Sequence, residues 1–109
     1  MKHMKIKIFE EEWDIYLTDS LSPGLISNGN PCLGICWHDK CQIYISNSLS
    51  GFKAQSVIRH ELVHAFIGST QANNPKEWTE EAMCDFFGVY GKQISELGDK
   101  IYDKLFKEI

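Results

Sequence analysis

The sequence predicts an α+β domain, in which short strands come first and helices follow. In the first half of the chain, short runs alternate polar and apolar side chains with the two-residue period of strands. From about residue 52 onward, apolar residues recur at the three- and four-residue intervals of helices. Strands followed by helices favour a small, mainly antiparallel sheet packed on the helices.

Size and composition limit the classes of function. The chain has 109 residues, of which 43% are hydrophobic, as expected for one globular domain. The net charge is -4 and no Lys/Arg cluster is present, which argues against nucleic acid as a partner. No apolar run is long enough for a membrane span or a signal peptide, so we expect no membrane association and a cytoplasmic location.

The N-terminus contains two methionines, in the order Met1-Lys2-His3-Met4. Met4 has the character of a native start, so residues 1–4 are interpreted as added residues followed by the start methionine. His3 is therefore assigned no functional role. Residues 5–109 are then expected to form a single minimal domain.

Two β-hairpins are predicted in the first half. The runs KIKIF at 5–9 and WDIYL at 13–17 alternate, with EEE as the turn between them. CLGICW and CQIYIS flank HDK, which predicts a second hairpin over about 33–46 with Ile43 and Ile45 on one face. Between the hairpins, SLSPGLISNGNP is rich in turn-forming residues and predicts a loop over a surface or cleft.

Three helices are predicted in the second half. The first covers about 52–67 and is followed by Gly68 as its terminator. The second should run from about 75 to 90 and end near Gly91. Its start is predicted by three residues: Asn74 as the N-cap, Pro75 at the first position and Glu77 in a capping box. The third is an amphipathic C-terminal helix with one glycine inside it: Ile94, Leu97, Gly98, Ile101 and Leu105.

The first helix carries RHELVHAF at 59–66, which contains two histidines four residues apart. Positions i and i+4 share one helix face, so His60 and His64 can reach the same metal ion, and imidazole nitrogen is a preferred ligand of zinc. Glu61 lies about 100° around the helix from His60. It would flank the metal and take a proton from water whose pKa the metal lowers. The alternative is a structural helix with two histidines by chance.

A third ligand on the second helix would distinguish these alternatives. Glu77 is assigned to capping, and Glu80 shares a face with Met83, Cys84 and Phe87 that has the composition of core. Glu81 shares its face with Asp85, and a second carboxylate beside a ligand can orient a ligating histidine. The alternative is that Glu80, Glu81 and Asp85 are solvated acids favoured by the helix dipole.

RHELVHAF followed by TEEAMCDFFG at 79–88 resembles the gluzincin class of zinc metallopeptidases. The likeness is greatest to its compact members, the minigluzincins and ImmA/IrrE-like peptidases of bacteria, phages and mobile elements, and it extends over most of 5–91. It implies one Zn²⁺ held by His60, His64 and Glu81, a catalytic Glu61 and an orienting Asp85. Glu80 stays open as an alternative third ligand.

The chain departs from larger members of the class, in which a downstream His or Tyr stabilises the oxyanion. No histidine follows His64. Tyr90 and His38 are the candidates for this role, with a surface or packing role as the alternative for each. The third histidine of a metzincin is also absent.

Two functions are compatible with these residues. The first is a zinc peptidase that acts on a peptide or protein substrate, which would pair with an edge strand around Ile35, Cys36, Trp37 and His38. The second is a latent or non-catalytic zinc-holding module that binds a partner protein. A metal-free structural domain is the third possibility.

Four cysteines complete the list of reactive residues, at 32, 36, 41 and 84. Their spacings do not match the CxxC pairs of a zinc ribbon, so small, partly buried thiols are the first interpretation. A disulfide between Cys36 and Cys41, or a thiol that caps the metal in a latent form, are the alternatives.

Overall fold

The computed structural model describes residues 1–70 and 77–107. Its main sheet has four strands: β1 (Lys2–Ile8), β2 (Glu11–Thr18), β5 (Gly34–Trp37) and β6 (Gln42–Ser46). Their order is β1-β2-β6-β5, with the central β2–β6 pair parallel and the outer pairs antiparallel. The predicted α+β class and the mainly antiparallel sheet are therefore confirmed.

Both predicted hairpins are present. The first turns at Phe9 and Glu10 rather than over EEE, because Glu11 and Glu12 already pair with β1. In the second, Ile43 and Ile45 are 1% and 0% exposed. Lys2 and His3 belong to β1, so the residues ahead of Met4 are part of the sheet.

The loop between the hairpins contains a short 3-10 turn and two further strands, β3 (Ile26–Ser27) and β4 (Asn30–Pro31). It packs against the sheet through Leu25, which is 0% exposed, and through Gly24, whose carbonyl accepts a 2.9 Å hydrogen bond from Trp37 Nε1. The predicted loop therefore covers a surface, and the surface beneath Leu25 and Gly24 is the sheet.

Helix α1 (Gly51–Ser69) carries the HExxH motif and packs on the sheet. It continues past Gly68, so the prediction that this glycine ends the helix is wrong. The glycine leaves room for the exposed His38 imidazole instead, because a Cβ there would overlap that ring.

Helix α2 (Glu80–Tyr102) replaces the two predicted C-terminal helices and continues into a π-helical turn over Asp103–Lys107. The predicted start was wrong: Thr79 is the N-cap, its hydroxyl accepts a hydrogen bond from Ala82 N, and Glu77 lies in a bend outside the helix. Asn74 and Pro75 lie outside the described residues. The predicted stop near Gly91 is also wrong, since the helix runs through it.

The core lies between one face of the sheet and the two helices. It is formed by apolar side chains from all of these elements, among them Ile8, Trp13, Ile15, Ile43, Ile45, Ile58, Leu62, Phe66, Ile94 and Ile101. Gly98 is buried where α2 contacts α1, and a Cβ there would lie 3.1 Å from Arg59 Cγ. In the described ranges, no helix is both long and apolar enough to cross a bilayer.

Candidate metal and catalytic site

Strand β5 lies along α1 and runs in the same direction as the helix. A Cβ on Gly34 would be 2.8 Å from Val57 Cγ1 and 3.0 Å from Glu61 Cγ. Four residues after Gly34, His38 packs against Gly68, near the C-terminal end of the helix. The HExxH motif therefore lies directly beside this edge strand.

Glu61 is the buried carboxylate of the site, with 6% of the residue exposed. It borders a pocket of about 280 Å³, whose lining comes from the start of β5 and from α1: Leu33, Gly34, Ser56, Val57, His60 and Glu61. Burial raises the pKa of the Glu61 carboxyl, and the nearby His60 opposes that shift. His60 Nε2 lies 3.9 Å from Glu61 Oε2. A buried carboxylate with an increased affinity for protons is suited to proton transfer.

His60 and His64 lie side by side on α1, as the i, i+4 spacing predicts. Their ring centroids are 5.0 Å apart, and both residues are exposed. Partial burial lowers the pKa of His64, and the charges of His60 and His38 lower it further. Neutral imidazole is the form that binds a metal, so the lowered pKa suits His64 to the role of a ligand, and the adjacent ring of His60 lies close enough to share the ion.

Glu81, the predicted third ligand, is exposed, as are Asp85 and Glu80. Within residues 1–70 and 77–107, no group of three or more His, Cys, Asp or Glu side chains is arranged to hold a metal ion. The face of α2 that the sequence predicted to be core is also exposed to solvent: Met83 and Phe87 are 42% and 49% exposed.

The packing of α2 against α1 explains the position of Glu81. Gly98 meets Arg59, and the Tyr90 ring lies 5.9 Å from the Phe66 ring, so the two helices run antiparallel. Glu81 precedes Tyr90 by nine residues, a rise of roughly 13 Å along a helix. This register takes Glu81 beyond the C-terminal end of α1 rather than alongside His60 and His64.

The predicted substrate strand is an edge of the main sheet, since β5 pairs only with β6 in the described sheet. Trp37 is turned towards the loop, where it bonds to Gly24. Cys36 Sγ lies 3.9 Å from His38 Nε2. Ile35 is half-buried.

The four cysteines are free, as the first interpretation predicts. Burial raises the pKa of the Cys36 thiol to about 12, and the charge of Glu61 adds to the shift. Cys41 is partly buried and Cys84 is exposed.

Tyr90, the predicted oxyanion candidate, lies in an aromatic cluster with Phe9, Phe66 and Phe86, with ring centroids 5.2 to 5.9 Å apart. This environment accounts for Tyr90 as a packing residue. His38, the other candidate, is exposed and contributes to the electrostatic environment of His64.

Of the predicted site residues, the structure brings together His60, Glu61 and His64, with His38 and Cys36 close by. It does not bring Glu81 and Asp85 to them. No protein-family model, curated protein or solved structure matches this chain. A functional proposal therefore starts from the chemistry of these side chains.

Proposed function

We propose that this chain is a zinc-dependent peptidase, in which His60 and His64 hold one Zn²⁺ and Glu61 is the general base. The observation that carries the proposal is the burial of Glu61, which is 6% exposed beside two accessible imidazoles. A chance histidine pair on a surface helix gives no reason for a carboxylate between the two histidines to lie under an edge strand. Burial of a carboxylate is costly, and buried acids with raised pKa values concentrate at functional sites.

The chain's own residues have distinct tasks in this proposal. Zinc, when bound, lowers the pKa of a water molecule and polarises the scissile carbonyl. Glu61 would take a proton from the attacking water and pass it to the leaving amine. The burial that raises the pKa of Glu61 helps it hold the proton between these two steps.

The substrate in this proposal is an extended peptide that adds to the free edge of β5. Main-chain hydrogen bonds to Gly34–Trp37 would hold it beside α1, close to His60 and Glu61. The proposal includes a cytoplasmic location, since four free thiols are typical of a reducing compartment.

A latent or non-catalytic zinc-holding module that binds a partner protein is the second candidate. The register of α2 favours it, because Glu81 lies beyond the end of α1 and the described residues offer no third ligand beside the histidines. Under the first candidate, the N-terminal turns of α2 must move towards α1 so that Glu81, with Asp85 beside it, can reach the metal.

The test is a digest of a peptide library by the zinc-loaded protein, with bound metal measured in the same samples. We expect cleavage by the wild type and none by Glu61→Gln, which should keep its zinc. Cleavage by Glu61→Gln with zinc bound would disprove the assignment of the base. Zinc binding without cleavage by the wild type would favour the module.

Metal binding is tested separately from catalysis. His60→Ala and His64→Ala should each lose zinc, whereas His3→Ala, a change in β1, should keep it. Glu81→Gln should weaken zinc binding about 10- to 100-fold or more if Glu81 is a ligand, with Glu96→Gln as the matched exposed control on the same helix. Equal affinities in these two variants would exclude Glu81.

A further inference from the structure

The apolar face of α2 is covered along only part of the helix. Ile94 and Ile101 belong to the core and are 3% and 0% exposed. Phe87 precedes Ile94 by two helical turns, and Met83 lies one turn before Phe87, so these residues share one face of the helix. Met83 and Phe87 are nevertheless 42% and 49% exposed. The same face is therefore buried where it packs in the core and exposed where α2 extends beyond α1.

The exposed end of α2 also carries the acid that the candidate metal site lacks. Helix α2 is continuous, and its second half is fixed on α1 where Gly98 meets Arg59. A straight helix in this register carries Glu81 away from the histidines of its own chain. In the part of the chain that the structure describes, no third ligand lies beside His60 and His64. A second copy of the chain is not subject to this register.

The first half of α2 is acidic. It has no lysine or arginine before Lys92, and it carries three exposed acids: Glu80, Glu81 and Asp85. None of the three forms an ion pair with another described residue. These charges therefore need no existing contact to be broken before they meet a basic surface.

The exposed surface of α1 has the opposite charge. Lys53 is exposed and Arg59 is half-buried, whereas Glu61, the only acid of this helix, is buried. Neither basic residue has an acidic partner within the described ranges. Lys53 lies two turns before His60 and therefore on the same face of α1. Phe52, next to Lys53, is 76% exposed and supplies an apolar side chain beside this face.

We infer that the chain forms a two-fold dimer in which the first turns of α2 pack on α1 of a second copy. Each zinc is then held by His60 and His64 of one copy and by Glu81 of the other. The same contact buries Met83 and Phe87. It closes on itself, because both copies use the same two surfaces.

The shared metal site rests on the proposed function, whereas the dimer contact rests on charge and apolar exposure alone. In the dimer, α2 does not have to move towards α1 of its own chain for Glu81 to reach a metal ion. The surface proposed for a partner is thus assigned to one partner, the chain itself.

The first experiment separates a shared site from a site within one chain. A chain with His60→Ala and His64→Ala is co-expressed with a Glu81→Gln chain that has a different affinity tag, and the doubly tagged species is purified. This mixed dimer contains one complete site. It should bind about one zinc ion per two chains at wild-type affinity, half the wild-type ratio. Glu81→Gln alone should bind zinc about 10- to 100-fold more weakly, and the chain without the histidines should not bind it.

The outcomes distinguish the inference from the proposed function. If no doubly tagged species is recovered, or if it binds zinc no better than Glu81→Gln alone, the inference is overturned and the zinc peptidase stands. If the wild type does not bind zinc, the proposed function is overturned and the shared site with it.

The second experiment tests the dimer contact by light scattering of the metal-free protein. The wild type should have twice the mass of one chain. Met83→Glu places a charge in the apolar contact and should give a monomer, whose zinc affinity in a separate titration falls about 10-fold or more. Val89→Glu is the matched control, because Val89 is 69% exposed and lies about 120° around α2 from Met83.

The control variant should stay dimeric and keep wild-type zinc affinity. Circular dichroism of both variants verifies that the helices are retained, since both side chains are exposed. A monomeric wild type, or a Met83→Glu protein that remains dimeric, would overturn the inference.

Discussion

Gly34 of β5 is in direct contact with Glu61 of α1. A Cβ built on Gly34 would lie 3.0 Å from Glu61 Cγ and 3.1 Å from Glu61 Oε2. The strand backbone thus forms one wall over Glu61, the only acidic side chain that is buried in the described part of the chain. This contact links the edge on which a peptide could pair to the residue proposed as its general base.

Gly34→Ala should therefore destabilise the fold, by about 1 to 3 kcal/mol, because Val57 and Glu61 must move to accommodate the methyl group. Urea unfolding measures the effect. Gly88→Ala is the control, since no packing neighbour among the described residues lies within 4 Å of a Cβ at that position and the helix should gain stability. An unchanged unfolding midpoint for Gly34→Ala would show that β5 and α1 are further apart than described.

His38 and Gly68 provide a second pair that a double-mutant cycle can test. Gly68→Ala alone should cost about 1 to 3 kcal/mol, because the new Cβ overlaps the His38 imidazole. In a His38→Ala background the same change should instead stabilise α1 by about 0.5 to 1 kcal/mol, as expected for glycine to alanine inside a helix. Unfolding free energies of the four proteins give the coupling. Additive effects would mean that His38 does not lie on Gly68.

The sequence predicts where the strands lie better than it predicts their order in the sheet or the ends of the helices. The β-prone composition of its run identifies β5, whose four residues are all half-buried, whereas alternation identifies β1, β2 and β6. It carries no information on which strands are neighbours, so the parallel β2–β6 pair was not predicted. Glycine was the misleading signal: Gly68 and Gly91 were taken as helix ends, whereas the first lies inside α1 against the His38 ring and the second lies inside α2.

Gly91→Ala tests whether α2 is continuous. Within a helix, alanine at this position should stabilise the protein by about 0.5 to 1 kcal/mol, since a Cβ there has no packing neighbour within 4 Å in the part of the chain that the structure describes. At a helix terminus with a left-handed glycine, the same substitution would be destabilising. Thermal or urea unfolding of the variant therefore distinguishes one helix from two by the sign of the change.

The part of the site that depends only on local spacing in the sequence was predicted. His60 and His64 come together because they belong to one helix, whose geometry fixes their separation. The position of Glu81 depends on the register between α1 and α2, which contacts such as Phe66–Tyr90 set and which a motif does not encode. The positions of Gly34 and His38 beside α1 could not be predicted either, because the pairing of β5 with β6 brings these residues there.

Asp14 gives the fold a pH dependence whose sign can be worked out. Its Oδ1 lies 2.7 Å from His3 Nε2 and 3.2 Å from Lys5 Nζ. The hydrogen bond with His3, followed by that with Lys5, lowers the pKa of Asp14 below its ordinary value of 3.8, against the opposing effect of burial. A carboxyl with a lowered pKa in the folded state stabilises the protein fully above the ordinary pKa. It loses this contribution as the pH falls through the lowered value.

Asp14→Asn should therefore reduce the unfolding free energy at pH 7, and the difference from the wild type should shrink as the pH falls below the ordinary value of 3.8. Urea unfolding of both proteins over a series of pH values measures this difference directly. Glu10→Gln, an exposed change in the β1–β2 turn, should leave the unfolding free energy unchanged at pH 7. A difference for Asp14→Asn that stayed constant down to pH values well below 3.8 would show that the carboxylate gains nothing from His3 and Lys5. It would also contradict the described contact between His3 and Asp14.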